Sequence, residues 1–147
     1  MSSPAFSRLD IYRAAARLAD RIWHHCRTWS GFECDAVGVP LVRAADRVGA
    51  AIAASIGHAS ADSSLGAVGE ARAALKECFF RMRRAYQRGL LSGSECAQLQ
   101  LAMAELEGRL LEYAGELERG PDQGGVREPE PFALASPGAL AVAAGGP

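Results

Sequence analysis

The sequence predicts an all-α protein: an antiparallel up-down-up-down four-helix bundle followed by a disordered C-terminal tail. Three observations predict it. Apolar residues recur at spacings of three and four in four separate segments, the pattern of a helix with one buried face. Ala and Leu outnumber the β-branched residues, which favours helix over strand. Short breaks containing Gly, Ser or Pro separate the segments, and short connections set consecutive amphipathic helices side by side. A chain of 147 residues has room for one such core. The expected divisions are a flexible start over residues 1–7, the bundle over 8–119 and a Pro/Gly-rich tail over 120–147.

The first helix is expected over about Arg8 to Trp29. Leu9, Tyr12, Ala16, Ala19, Trp23 and Cys26 form its main apolar stripe, and Ile11, Ala15, Leu18, Ile22 and Trp29 widen it. Ser30-Gly31 ends it, with Gly31 as the residue free to turn left-handed. Phe32 to Val39 reads as a short connection. Pro40 then suits a helix start, where its missing N–H costs nothing.

The second helix, Leu41 to Gly57, carries Leu41, Ala45, Val48, Ile52 and Ile56 inward. Ala44, Gly49, Ala50, Ala51, Ala53, Ala54 and Ser55 make up most of the rest. So many small residues allow close approach by neighbours, and so little charge after Arg47 implies cover on more than one side.

Gly57 to Ser63 is a loop in which Ser60 or Asp62 caps the third helix. Its stripe is Val68, Ala71, Leu75, Cys78 or Phe79, Met82, and Ala85 or Tyr86, and Gly89 closes it. The fourth helix has the clearest start, a capping box at Ser92-Gly-Ser-Glu95. Cys96, Leu99, Met103, Leu106, Leu110, Tyr113 and Leu117 follow without a break. From Gly120 the composition turns to Pro and Gly with no usable period. Such a segment cannot bury enough surface to offset its ordering entropy. One short motif stands out in it, Phe132-Ala-Leu134.

Composition excludes more than it assigns. The net charge of −1 gives no general pull toward nucleic acid, but the charge is uneven. Residues 1–90 hold 13 Arg and Lys against 8 Asp and Glu, and residues 91–147 hold 3 against 9. Lys76 is the single lysine among the cations. Cys26, Cys34, Cys78 and Cys96 form no CxxC pair, and MSSPAFSRLD lacks the apolar core of a signal peptide. The expectation is a cytoplasmic protein with reduced thiols. No apolar run approaches the roughly 18 residues of a membrane span.

No constellation specifies a reaction. Adjacent His24 and His25 point about 100° apart on a helix and cannot share one metal. Glu105, Glu107 and Glu112 lie on the solvated side of the fourth helix. There is no phosphate-binding glycine loop and no nucleophile paired with a base. The expectations are therefore no enzymatic activity, no metal, no cofactor and no small-molecule substrate. The arginines carry what functional content there is. Arg43 and Arg47 share a face of the second helix, and Arg81, Arg84 and Arg88 share a face of the third. Together they suggest a stripe that contacts phosphates. Aromatic stacking platforms are expected to be absent from it, which argues against base-specific reading. The alternative reading pairs Arg81 and Arg84 with acidic groups on neighbouring helices.

The second helix also carries a resemblance. Leu41, Arg43, Ala44 and Ala45, then Val48, Ile52 and Ala53, resemble the L-R-R-A-A…I-P-x-N-I-A-E-G signature of small four-helix-bundle proteins. These were first associated with intervening sequences in bacterial large-subunit ribosomal RNA genes, and include the accessory variability determinant of diversity-generating retroelements. Ala71, Leu75, Glu77 and Ala85, then Gly89-Leu90-Leu91-Ser92, are similar to the family's next helix and turn. The resemblance spans about residues 8–119. Where the signature has Pro, Asn, Glu and Gly, this chain has Gly49, Ala51, Ala54 and Ser55. The resemblance implies a homo-oligomer, a pentameric ring in known members, without enzymatic activity. Its retroelement branch implies a reverse transcriptase and structured RNA as partners. A protein-interaction module with no nucleic-acid role is the alternative.

Overall fold

The computed structural model describes residues 7–120, which form four long helices: α1 (Arg8–Cys26), α2 (Val39–Gly57), α3 (Ala61–Gln87) and α4 (Gly93–Arg119). The fold class is all-α, and no strand occurs among the described residues. Each helix packs on its chain neighbours, and α1 also packs on α4, so the four enclose one core. Two sets of contacts mark the ends of the bundle. At one end Arg8 lies over the Tyr113 ring, and Ser64 donates to the Ser55 carbonyl at 2.8 Å. At the other, Cys96 Sγ lies 3.3 Å from Met82 Sδ, and His25 Nδ1 lies 3.8 Å from Glu95. The expected tail and its Phe132-Ala-Leu134 motif lie outside the described residues.

The helix starts follow from local chemistry. Ser92 Oγ accepts the Glu95 N–H at 3.0 Å, and Glu95 returns the bond to the Ser92 N–H at 2.8 Å. An equivalent box that the sequence reading missed opens α1, between Ser7 and Asp10. Ser60 caps α3 through the Ser63 N–H. At the far end of α3, Gly89 takes φ +81°, Leu90 N–H bonds the Ala85 carbonyl, and Gly89 N–H bonds that of Tyr86. That is a Schellman close, and it needs the residue without a Cβ.

Three expectations are corrected. First, α1 ends at Cys26, not Trp29, and Gly31 is not left-handed. Turn-type bonds from Thr28 and Trp29, together with the Thr28 hydroxyl, satisfy the last carbonyls instead.

Second, Phe32–Val39 is not a loose connection. A helical turn, Gly31–Glu33, runs into a π-helical stretch, Cys34–Gly38, and straight on into α2. Pro40 lacks the N–H that would bond one turn back, and the wider turn lies just before it. The π stretch presses Gly38 onto the end of α1. A Cβ on Gly38 would sit 3.2 Å from Cys26 Cβ and 3.4 Å from the Trp29 ring.

Third, the inward face of α1 is turned by about one residue. Ile11, Ala15, Leu18, Ala19, Ile22 and Cys26 are buried, whereas Trp23 is 47% exposed and Leu9, Tyr12 and Ala16 only partly covered.

The buried stripes of α2 and α4 match their periodicity. Leu41, Ala44, Ala45, Val48 and Ile52 are fully enclosed, Ala53 is half-buried, and Arg43 is exposed. Gly49 and Ser55 are buried as well, so α2 is covered by both α1 and α3. Cys96, Leu99, Met103, Leu106, Leu110 and Tyr113 fill the core from α4, while Leu117 is only partly buried.

One polar group crosses this core. Ser55 donates to the Ile52 carbonyl at 2.6 Å, and its oxygen lies 3.2 Å from the Tyr113 hydroxyl. Buried hydroxyls are tolerated only with such partners.

Candidate nucleic-acid interface

The basic surface is built on the seam between α2 and α3. Arg47 reaches from α2 to the Glu77 carboxylate on α3, and Arg81 Nε donates to the other oxygen of that carboxylate at 2.7 Å. Glu77 thus clips two guanidiniums of the expected stripe together. Hydrogen bonds from Arg81 first, and then Arg47, hold its carboxyl below the usual value of 4.5.

The register of the seam follows from its contacts. Ser55 is level with Ser64, and Arg47 with Glu77. Running back along α2 one turn from Arg47 places Arg43 beside Arg81. Arg84 and Arg88 continue the line along α3, one and two turns beyond Arg81. The seam joins Arg47 and Arg81 through Glu77, and helical spacing sets Arg43, Arg84 and Arg88 toward the same side. The expectation that Arg81 and Arg84 pair with carboxylates on neighbouring helices is met for neither. Arg81 bonds Glu77 of its own helix, and Arg84 Nη1 donates to Gln87 at 2.6 Å. Arg43 and Arg88 are exposed and make no ion pair among the described residues.

Glu77 bonds two of these five arginines, Arg47 and Arg81, and no other ion pair involves the set among the described residues, so the five keep a positive excess. Guanidiniums offer planar forks that match phosphate oxygens two at a time. Side chains tethered at one end and held near their neighbours lose less freedom on meeting such a ligand.

The aromatic expectation is corrected. Phe80 is 59% exposed and precedes Arg83 and Arg84 by three and four residues, so it shares their face of α3. Phe79 and Tyr86 are also more than a third exposed. The Arg83 guanidinium lies 6.0 Å from the centre of the Tyr86 ring. Sequence spacing offered Phe79 and Tyr86 as core alternatives to Cys78 and Ala85. The smaller residue of each pair, Cys78 and Ala85, is the buried one.

Elsewhere the chemistry is sparse. No cluster of His, Cys, Asp or Glu able to hold a metal occurs among the described residues. His24 packs edge-on to Trp23, and His25 faces Glu95. All four cysteines are free thiols. Burial pushes the Cys26 and Cys78 thiols up to about 12, which suits side chains that pack rather than react. No helix among the described residues is long and apolar enough to cross a membrane.

Toward α4 the charges are paired. Arg72 of α3 pairs with Glu107 of α4 at 3.0 Å, while Glu105 holds Arg109 along α4. Compared with protein-family models and with curated proteins, the chain matches none.

Proposed function

We propose that this is a non-enzymatic helical-bundle accessory protein that contacts RNA through the arginine seam of α2 and α3. The observation that carries the reading is the joining of Arg47 and Arg81 through Glu77, with Arg43, Arg84 and Arg88 set toward the same side. Such a surface meets a polyanion at its phosphates, through charge rather than base edges. Phe80 beside Arg83 and Arg84 adds a ring on which an unpaired base can stack.

The resemblance of α2 to the intervening-sequence protein family supplies the rest of the proposal. It names a ring-forming homo-oligomer, a pentamer in known members, working in the cytoplasm beside a retroelement reverse transcriptase and its RNA. The buried residues Leu41, Ala44, Ala45, Val48 and Ile52 are the part of that signature which serves packing.

Two experiments test it. Light scattering should give a mass several times 15.5 kDa at micromolar concentration; a monomer would remove the ring. Binding of structured RNA should weaken at least tenfold in an Arg81→Ala/Arg84→Ala/Arg88→Ala variant whose helicity is unchanged, since each phosphate contact adds to affinity.

A second reading is a protein-interaction module. It is favoured by the exposed Phe79, Phe80 and Leu101, apolar groups of the kind that anchor protein interfaces. Intact RNA binding in the triple variant, with oligomerisation lost in a Phe80→Ala variant, would favour it.

A further inference from the structure

The outward side of α4 carries a second apolar stripe. Cys96, Leu99, Met103, Leu106, Leu110 and Tyr113 fill the core. Ala97, Leu101, Ala104, Gly108, Leu111 and Gly115 run down the side facing away from it, at alternating spacings of four and three. No polar residue interrupts those six positions. The first five are exposed, Leu101 at 72% and Leu111 at 48%. A helix on the surface of a lone bundle turns polar groups outward. A heptad stripe there is the pattern of a helix packed on both sides.

We propose that this stripe packs antiparallel against the same stripe of a second copy, about a two-fold axis between Ala104 and Gly108. The stripe is self-complementary. Small, Leu, small, small, Leu, small reads the same in both directions. Turned about the axis, Leu101 meets Leu111 of the partner subunit, and Ala104 meets Gly108 of the partner subunit. The leucines bury each other while the small residues at the centre let the two helices approach closely.

The charges select a second copy over a basic partner. Glu105 and Glu107 border the stripe, and each is bonded within its own chain, to Arg109 and Arg72. The middle of the border is thus already neutralised and offers little to a cationic helix. In the antiparallel pairing the two copies of Glu105 meet at the axis as two Glu–Arg pairs, and Glu112 comes opposite the uncharged Gln98 of the partner subunit.

The contact is isologous, so it joins two chains or two rings and does not itself close a ring. Because α4 packs on α1 and α3, its outward stripe lies away from α2 and leaves the arginine seam uncovered. One helix pair is smaller than the roughly 800 Å² per partner of a stable interface, so the association weakens on dilution.

Disulfide cross-linking tests the register. Cys34 is the one cysteine that is not fully buried, so Cys34→Ser supplies the background. Leu101→Cys and Leu111→Cys chains should form a covalent dimer when mixed and oxidised. Each oxidised alone should form little, because like positions lie about 15 Å apart along the pair, beyond disulfide reach. A Leu101→Glu/Leu111→Glu variant, altered only at exposed positions, should lose the rise of sedimentation coefficient with concentration while its circular dichroism stays that of the parent. Gln98→Lys, set opposite Glu112, should tighten the association about fivefold. Dimers formed as readily by either cysteine variant alone, no mixed dimer, or unchanged sedimentation in the glutamate variant would each overturn the contact.

Discussion

Arg47 of α2 and Glu77 of α3 form an ion pair across the seam, and the same carboxylate also receives Arg81. Glu77 therefore has two effects. It ties α2 to α3, and it offsets part of the charge that an anionic ligand would meet.

Replacing Glu77 with Gln separates these effects. The pair is well exposed, and such pairs contribute only about 0.2–1 kcal/mol, so thermal stability should fall slightly. RNA affinity should rise by about fivefold, the equivalent of roughly 1 kcal/mol, as one repulsive charge leaves the surface. Thermal melts and filter binding on the same preparations check both. Weaker RNA binding would mean that Glu77 is needed to arrange the arginines.

The same residue gives a pH dependence with a definite sign. Its carboxyl is held below the usual 4.5 by Arg81 and Arg47. A depressed carboxyl contributes stability that is present above the unfolded value and lost as pH falls through the folded one. Urea melts from pH 6 downward should therefore show part of the acid destabilisation missing in Glu77→Gln. Parallel curves for the two proteins would contradict the pairing.

Two glycines should respond oppositely to alanine. At Gly49 an added Cβ meets Tyr12 Cε1 at 3.9 Å and Ala15 Cβ at 4.0 Å, both ordinary contacts. Gly49→Ala should stabilise by about 0.5–1 kcal/mol through helix propensity. At Gly38 the Cβ would crowd Cys26 and Trp29 where the π stretch meets α1, and Gly38→Ala should destabilise by roughly 1–2 kcal/mol. Denaturant midpoints decide it.

The Ser55–Tyr113 pair predicts an asymmetry. Ser55 has one proton to donate and the Ile52 carbonyl at 2.6 Å is its nearer acceptor, which leaves the 3.2 Å contact to be made by the Tyr113 O–H. Tyr113→Phe leaves Ser55 bonded and should cost about 1 kcal/mol. Ser55→Ala strands a buried hydroxyl and should cost more, up to about 3 kcal/mol. Equal losses in urea melts would argue against a bond between them.

Much of the architecture was legible in the sequence, and the failures have physical causes. The α4 stripe from Cys96 to Tyr113 is large and unbroken, and Ser92 marks its start, so both face and boundary were readable. In α1 two offset stripes share many alanines, whose small area barely distinguishes inside from outside. The Arg27 guanidinium, 4.8 Å over the Trp23 ring, helps to make the exposed indole acceptable. The π stretch was invisible because a five-residue widening leaves no period to read. Among the candidate site residues, the helical spacing gave each arginine's face. The clip through Glu77 depends on the register of α2 against α3, which no local pattern encodes.

The salt dependence of RNA binding tests the central claim most directly. The logarithm of affinity should fall linearly with the logarithm of salt, and the Arg81→Ala/Arg84→Ala/Arg88→Ala variant should flatten that slope by about two units, at roughly 0.7–0.9 per lost phosphate contact. A slope near zero in the unaltered protein, or one unchanged in the variant, would contradict an RNA interface on this seam.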